Sequence, residues 1–446
     1  MFGKTKSIHS WGRSNHGKSY IFYPTSLEEL RTAIQFGAVT VRGGGMSFGD
    51  AALNDGGSVI YMNKLEKKPM RLDATRGHLF CSADVTQDNI LQYICPRGWL
   101  LPTIPGSRYI TLGGMIAGNV HGKNHHAKGS ISRYVKSMRV MLASGDIVDC
   151  SPSETSDLFW GTIGGLGLTG IILDADIQLT KISSVYSSTI MFGFDGVDTL
   201  CELIELNKNR YEYILGWANG WSHRRDPWRG AVSFGRILNA NEIKNPWDLS
   251  ESQKYRIPFP SPLPWTSQIA GWSINHAISR KFRDGASSIN DLKQFLFPQD
   301  TFFNWNVAFG FTGFIDYQIC LPIDTAQKGL NDIHSFFYEQ KIQCFLIAFK
   351  RFSASEEIHS LCFPMEGLSF SFESPIRDNL FSKLHELDNI VIENGGRLNL
   401  IKDSRASADT VRKMYPQLDN WVGIKKYFDP SSIFISDLAR RLRLTA

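Results

Sequence analysis

The chain has 446 residues, too many for one comfortable hydrophobic core, so two domains are the first expectation. Its 48 Lys plus Arg against 43 Asp plus Glu leave a charge of +5 with no long basic run, which argues against nucleic acid and leaves cations for a local anionic ligand. Seven scattered cysteines without a Cys-x-x-Cys pair point to reduced thiols. With no apolar stretch of signal-peptide or membrane-span length, they make a cytoplasmic chain, soluble or peripheral at the inner face of a membrane, the expectation.

In chain order, Ser26 and Glu29 form a capping box, after which Leu27, Leu30 and Ile34 line one helical face. A short β-like run, Ala38–Val41, then feeds Gly43, Gly44 and Gly45. Glycine tolerates positive φ, so such a loop can turn several backbone N–H groups toward a phosphate. No Gly-x-Gly-x-x-Gly opens a helix here and no Gly-Lys-Ser/Thr follows, so neither the Rossmann nor the Walker context is present. A second helix is predicted from Thr86 to about Cys95, stopped by Pro96 and Gly98. The glycine-rich segment Pro105–His126 follows, about sixty residues after the first. Strands are expected at Val135–Leu142, Ile147–Asp149 and Thr169–Leu179, the first two joined by the Ser144–Gly145–Asp146 turn.

Past Ile182 the pattern changes. Tyr186–Phe194 reads as a strand, Asp198–Asn207 as a helix, and Tyr213–Trp217 and Ala231–Leu238 as strands. Tyr255–Ile278, rich in proline and aromatics, reads as a long loop, either a lid on the body or a membrane-touching segment. After it come strand Phe314–Leu321, helix Asp324–Glu339, strands Gln343–Phe352 and Gly367–Glu373, helix Arg377–Asn394 and strand Arg397–Ile401. That order implies an antiparallel sheet with its helices on one side and the other face free. Period two puts Asp316 with Gln318 on one side of their strand. It puts Ser369, Ser371 and Glu373 together, opposite Leu368, Phe370 and Phe372, and Lys350 with Leu346 and Ala348.

His121, His125 and His126 raise a metal reading, but Gly122, Lys123 and Asn124 stand where a zincin would carry its Glu, and no nearby Cys completes a set, so no metal is expected.

The ordered motifs SFGD (Ser47–Asp50), HGKNHH (His121–His126), DLFWGTIGGLGLTGII (Asp157–Ile172), AFKRF (Ala348–Phe352), GGRLNLIKDSR (Gly395–Arg405) and Trp421–Leu442 carry a family resemblance over nearly the whole chain. From Trp11 onward it resembles the vanillyl-alcohol-oxidase class of flavoproteins, with a PCMH-type FAD-binding fold, and within it the branch that oxidises a lipid-linked sugar. The resemblance implies an α+β fold: a two-part FAD-binding domain over 1–183, an inserted antiparallel-sheet substrate domain over 184–396, and a C-terminal return to the FAD domain over 397–446. It places FAD against Arg42, Gly43, Gly44, Gly45, Met46, Ser47, Phe48 and Gly49 of the first loop. On the second segment it uses Gly106, Ser107, Thr111, Leu112, Gly113, Gly114, Asn119, His121, Gly122, Lys123 and Asn124, with Gly167, Gly170, Ile172 and Asn399 completing the set. Met46 stands where relatives with covalent flavin carry His, so noncovalent FAD is expected.

Flavin oxidation of an alcohol needs its C–H aimed at the flavin and a group to take the hydroxyl proton. The resemblance assigns Lys402 and His121 to that work, and Lys123, Asp316, Gln318, Lys350, Ser369, Ser371 and Lys402 to substrate. Three lysines in one site would lower one another's pKa or hold a phosphate; the alternative for Lys402 is a surface lysine paired with Asp403 or Asp429. The chain departs from the sugar-lipid branch at Phe48 and Asn399, both tyrosines there, at Ser369 and Ser371 in place of Asn and Cys, and at Asp316 in place of glutamine. The partners implied are a phosphorylated or lipid-linked sugar and a separate NAD(P)H-dependent short-chain ketoreductase that completes an epimerisation. A free-sugar, alditol or aldonolactone oxidase is the alternative, and an idle flavin- or glycolipid-binding protein the second.

Overall fold

The computed structural model describes residues 3–220, 227–248, 255–259, 284–342, 344, 346–354, 361–377 and 379–445. Ser26 caps the first helix, Leu27–Ile34, by accepting from Glu29 N. The Glu29 carboxylate reaches one residue further back than a capping box requires and accepts from Thr25 N at 2.7 Å. This helix packs on a four-stranded sheet ordered Lys4–His9, His16–Phe22, Ser58–Tyr61 and Val39–Arg42. The last three strands are parallel, a pairing that needs a crossover and therefore the helix.

A second, wholly antiparallel sheet runs Arg71–Asp73, His78–Ser82, Ile171–Gln178, Val135–Met141, Ile147–Cys150. The expected helix beneath it spans Gln87–Ile94, and Gly98 at φ 81° ends the short 3-10 turn that follows. Isolated as sequence, the short strands at residues 4–9, 16–22 and 71–73 carry too few apolar residues to be read, and they form because the neighbouring strands offer an edge.

The third sheet has eight antiparallel strands in the order Ser287–Asp291, Tyr186–Asp195, Arg229–Ile237, Tyr213–Ala218, Ile347–Phe352, Gly367–Pro375, Phe314–Pro322, Arg397–Leu398. Helices Val197–Asn207, Ile323–Glu339 and Leu380–Glu393 share its apolar core, with Leu330, Ile333, Leu384, Leu387 and Val391 packed around Phe349, Phe370 and Phe372. The opposite face carries the polar set that alternation predicted.

Three expectations change. Of the expected Gln343–Phe352 strand, Ile347–Phe352 is paired, while residues 343 and 345 lie outside the described residues. The last strand stops at Leu398 instead of Ile401, because Lys402 N and Asp403 N both turn back to donate to Asn399 O, at 3.0 Å each, and that turn carries Lys402. Of the long loop, Tyr255–Arg256 pairs with Phe302–Phe303, while 260–278 lies outside the described residues.

The sheets are joined by short backbone ties. Trp11 N donates to Ser47 O (2.8 Å), Gly12 N to Phe48 O (3.2 Å), and Phe314 N to Gly12 O (2.8 Å), so residues 11–12 lie between the first glycine loop and the polar-faced sheet. The C-terminal segment pairs with Val39 through Ile433 O and Ile435 N. Arg441 holds Asp50 with two bonds of 2.9 and 2.7 Å and Asp403 with one of 2.7 Å. Arg441→Met leaves both buried carboxylates without that cation and should lower stability by about 3 kcal/mol. Asp50→Asn, which leaves Arg441 with Asp403, should cost less; urea unfolding midpoints of the two variants check the order.

Candidate functional site

Glycine fits where it does in the first loop because nothing larger can. A Cβ on Gly43 would meet the Thr111 hydroxyl and one on Gly44 the Tyr109 carbonyl, while Gly45 sits at φ 66° against the Arg42 guanidinium. The two glycine-rich segments therefore lie against each other. Together with the polar face of the eight-stranded sheet they enclose a cavity of about 310 Å³. The amide N–H groups of Gly43 to Phe48 have no hydrogen-bond partner among the described residues. A row of unspent donors on a cavity wall suits the pyrophosphate of a dinucleotide.

Most of the residues expected at the cofactor line this cavity: Gly43 to Phe48, Gly106, Ser107, Thr111, Gly113, Gly114, His121, Lys123, Gly167, Gly170, Ile172 and Asn399. Six stand behind it. Arg42 donates to Ala52 O and His9 O and shapes the loop from below. Gly49 is pressed against the Asp403 carbonyl, and Leu112 is a core residue of the helix that Thr111 caps. Asn119 accepts from Ser132 N and Asn124 donates to Pro102 O, while Gly122 packs on Ile104.

On the sheet side, Asp316, Lys350, Ser371 and Lys402 reach the cavity, and Gln318 and Ser369 form a buried layer behind them. Asn399 Nδ2 donates to Gln318 Oε1 (2.9 Å), which turns the Gln318 amide nitrogen toward Ser369 Oγ (3.0 Å) and His121 Nε2 (3.2 Å). His121 accepts there, so its proton sits on Nδ1. Burial, with Lys350 next in weight, holds this imidazole well below its ordinary pKa and keeps it neutral. The other two histidines are spent elsewhere: His125 bonds Ser130 Oγ and Ser353 N, and His126 bonds Tyr211 O.

The lysines differ in what they meet. Lys123 Nζ donates to the Phe295 carbonyl at 2.5 Å, and burial, with help from Lys350, brings its pKa down to about 7. Burial and then Lys402 bring Lys350 down to about 8. Lys402 is ion-paired to Asp316 at 2.5 Å and lies 5.1 Å from the centre of the Phe48 ring, so its partner is neither Asp403 nor Asp429. Burial also raises Glu373, opposite Asp316, to about 7, with Asp316 the second cause.

Sequence reasoning placed Glu373 on this face without assigning it to the site, and it missed Trp11, Trp217, Trp305 and Asp300, all of which line the cavity. Alternation signals Trp217, on the neighbouring strand. Nothing local signals Asp300, whose carboxylate accepts from Arg108 N at 2.7 Å across the sequence.

Residues 19–151 match the FAD binding domain family. Over 99% of its length, and 98% of the relative's, the chain is 32% identical to decaprenylphosphoryl-beta-D-ribose oxidase of Mycolicibacterium smegmatis. The chain belongs to that family of FAD-dependent oxidases. Similarity to the L-gulonolactone oxidase of Mus musculus is lower, 22% identity over 98% of both chains. It is thus an FAD-dependent oxidoreductase acting on CH–OH groups, with a FAD-binding domain of helices packed on one part-parallel and one antiparallel sheet. The free amides of Gly43 to Phe48 fit the cofactor, which supplies the hydride acceptor. No described helix is long and apolar enough to cross a membrane.

Met46 lines the cavity, and its thioether cannot form a histidyl link to the flavin. Acid precipitation should therefore release all the yellow colour to the supernatant; flavin fluorescence migrating with the denatured chain would overturn this.

Proposed function

We propose that the enzyme oxidises a secondary hydroxyl of a pentose carried on a phosphate, in polyprenyl-phosphate-linked or simpler phosphorylated form, to a ketone. A separate NAD(P)H-dependent short-chain ketoreductase then returns hydride to the opposite face, which makes the oxidation the first half of an epimerisation. The observation that carries this reading is the convergence of Lys123, from the second glycine-rich segment, with Lys350 and Lys402 on one cavity. The name of the Mycolicibacterium relative supports the same substrate class.

In this reading residues 184–396 form an inserted substrate domain and 397–446 return to the FAD domain, which the continuity of the eight-stranded sheet from Tyr186 to Leu398 supports. Lys402 orients the reacting hydroxyl, neutral His121 is fixed by Gln318 as its neighbour, and Lys123 and Lys350 take the phosphate. Contact with a membrane surface is supported by exposed Tyr255 stacked on Phe302, 5.5 Å between ring centres, at the start of the proline-rich segment.

A free-sugar, alditol or aldonolactone oxidase is the second reading. The gulonolactone oxidase relatives favour it, as does the presence of Asp316 and Glu373, which offset part of the cationic charge. An idle binding protein is disfavoured by the ion-paired Lys402 and neutral His121 on the cavity wall, and substrate-dependent bleaching of the flavin separates it from both.

Removing the phosphate removes the partner of partly desolvated lysines, so kcat/KM for the dephosphorylated sugar should fall by about 10²-fold or more at equal salt. Equal turnover of the two forms would favour the second reading. Lys402→Met keeps the bulk of the side chain and should retain fold and FAD, while single-turnover flavin reduction at saturating substrate drops about 10²-fold. A nearly normal reduction rate would remove Lys402 from the site.

A further inference from the structure

Asp316 and Glu373 stand directly opposite each other on adjacent antiparallel strands, and both line the cavity. Like charges in that register repel, so the pair persists only with compensation. Lys402 supplies part of it through Asp316 Oδ2, and Gln299 Nε2 lies 3.5 Å from Glu373 Oε1. Lys350 faces the pair from the next strand, and Lys123, His121 and Asp300 border the same cavity. One atom is left over. Asp316 Oδ1 is buried in a side chain only 3% exposed and has no hydrogen-bond partner among the described residues. A buried carboxylate oxygen without a donor is costly unless a ligand provides one.

A lysine ammonium has three N–H groups and no lone pair, and in its bond to Asp316 Lys402 is the donor. The lone pair available beside it belongs to the carboxylate. We propose that Asp316, facing Glu373 across the strands, accepts the proton of the substrate hydroxyl, and that Lys402 orients that hydroxyl without taking its proton. This deepens the sugar-oxidation reading and rests on it. The hydroxyl O–H bond breaks and a carboxylic O–H bond forms on Asp316. Bound FAD would supply the acceptor for the carbinol C–H pair, taken as hydride, and the O–H pair would become the second bond of the ketone. Burial, and after it the facing Asp316, raise Glu373 to about 7, so a second carboxyl that takes up a proton near neutral pH stands across the strands from Asp316. The glutamine that the sugar-lipid branch carries at the Asp316 position has an amide oxygen far too weakly basic to take that proton, so the carboxylate is what makes the step available here.

The test uses the FAD-loaded enzyme and a short-chain prenyl-phosphate pentose. Asp316→Asn should retain FAD and lower flavin reduction at saturating sugar by about 10²-fold or more, and Asp316→Glu should recover much of the loss. Glu373→Gln should slow reduction less and remove a near-neutral step from its pH profile. Without any sugar, infrared difference spectra should show a carboxylic-acid C=O band that titrates around neutral pH and is absent in Glu373→Gln. Reduction by Asp316→Asn within about threefold of the unaltered rate overturns the proposal, and so does the lack of a titrating band. Failure of the unaltered enzyme to reduce its flavin with phosphorylated or free sugars would instead overturn the substrate reading, an outcome distinct from a loss confined to Asp316→Asn.

Discussion

One guanidinium holds the two halves of the site in register. Arg441, near the C-terminus, binds Asp50 at the end of the first glycine loop and Asp403 directly after Lys402. The FAD loop comes from the beginning of the chain and the reacting-side lysine from near its end. Neither has a local reason to sit beside the other. A planar donor fork satisfies both carboxylates at once, and it transmits the position of one loop to the other with little slack. Burial pushes both carboxylates up; Asp50 stays raised, whereas at Asp403 Arg441 and Arg405 together outweigh burial and bring the net shift down.

Around that tie the cavity mixes charges unusually closely. Three lysines and four carboxylates, Asp84, Asp300, Asp316 and Glu373, line it, with a neutral imidazole among them. Low exposure weakens each charge's hydration, so neighbours govern the protonation of the groups more than solvent does. Lys402 is paired, Lys123 and Lys350 are left with lowered pKa values, and Glu373 is drawn toward neutrality. A site in that state can bind an anion and can also move a proton, and which residue does which follows from who donates to whom.

The buried layer behind the wall makes those assignments specific. Gln318, fixed by Asn399 and Ser369, presents one amide nitrogen to His121 and thereby selects its tautomer. Asn399 thus has a definite task where the sugar-lipid branch carries tyrosine: it reaches the cavity and also orients the glutamine behind it.

By itself the sequence determined the glycine loops, the helix caps, the alternation that puts Lys350, Ser371 and Glu373 on one face, and the family. All are local patterns, or motifs in order, set by backbone sterics and by side-chain period. Only the tertiary structure decided the partner of Lys402, the orphaned oxygen of Asp316, the retreat of Arg42, Asn119 and Asn124 behind the cavity wall, and the arrival of Asp300 and Trp305 upon it. Those depend on strand register and on contacts between residues far apart in the chain. A one-residue change in either moves a side chain to the other face, and no local pattern encodes that choice.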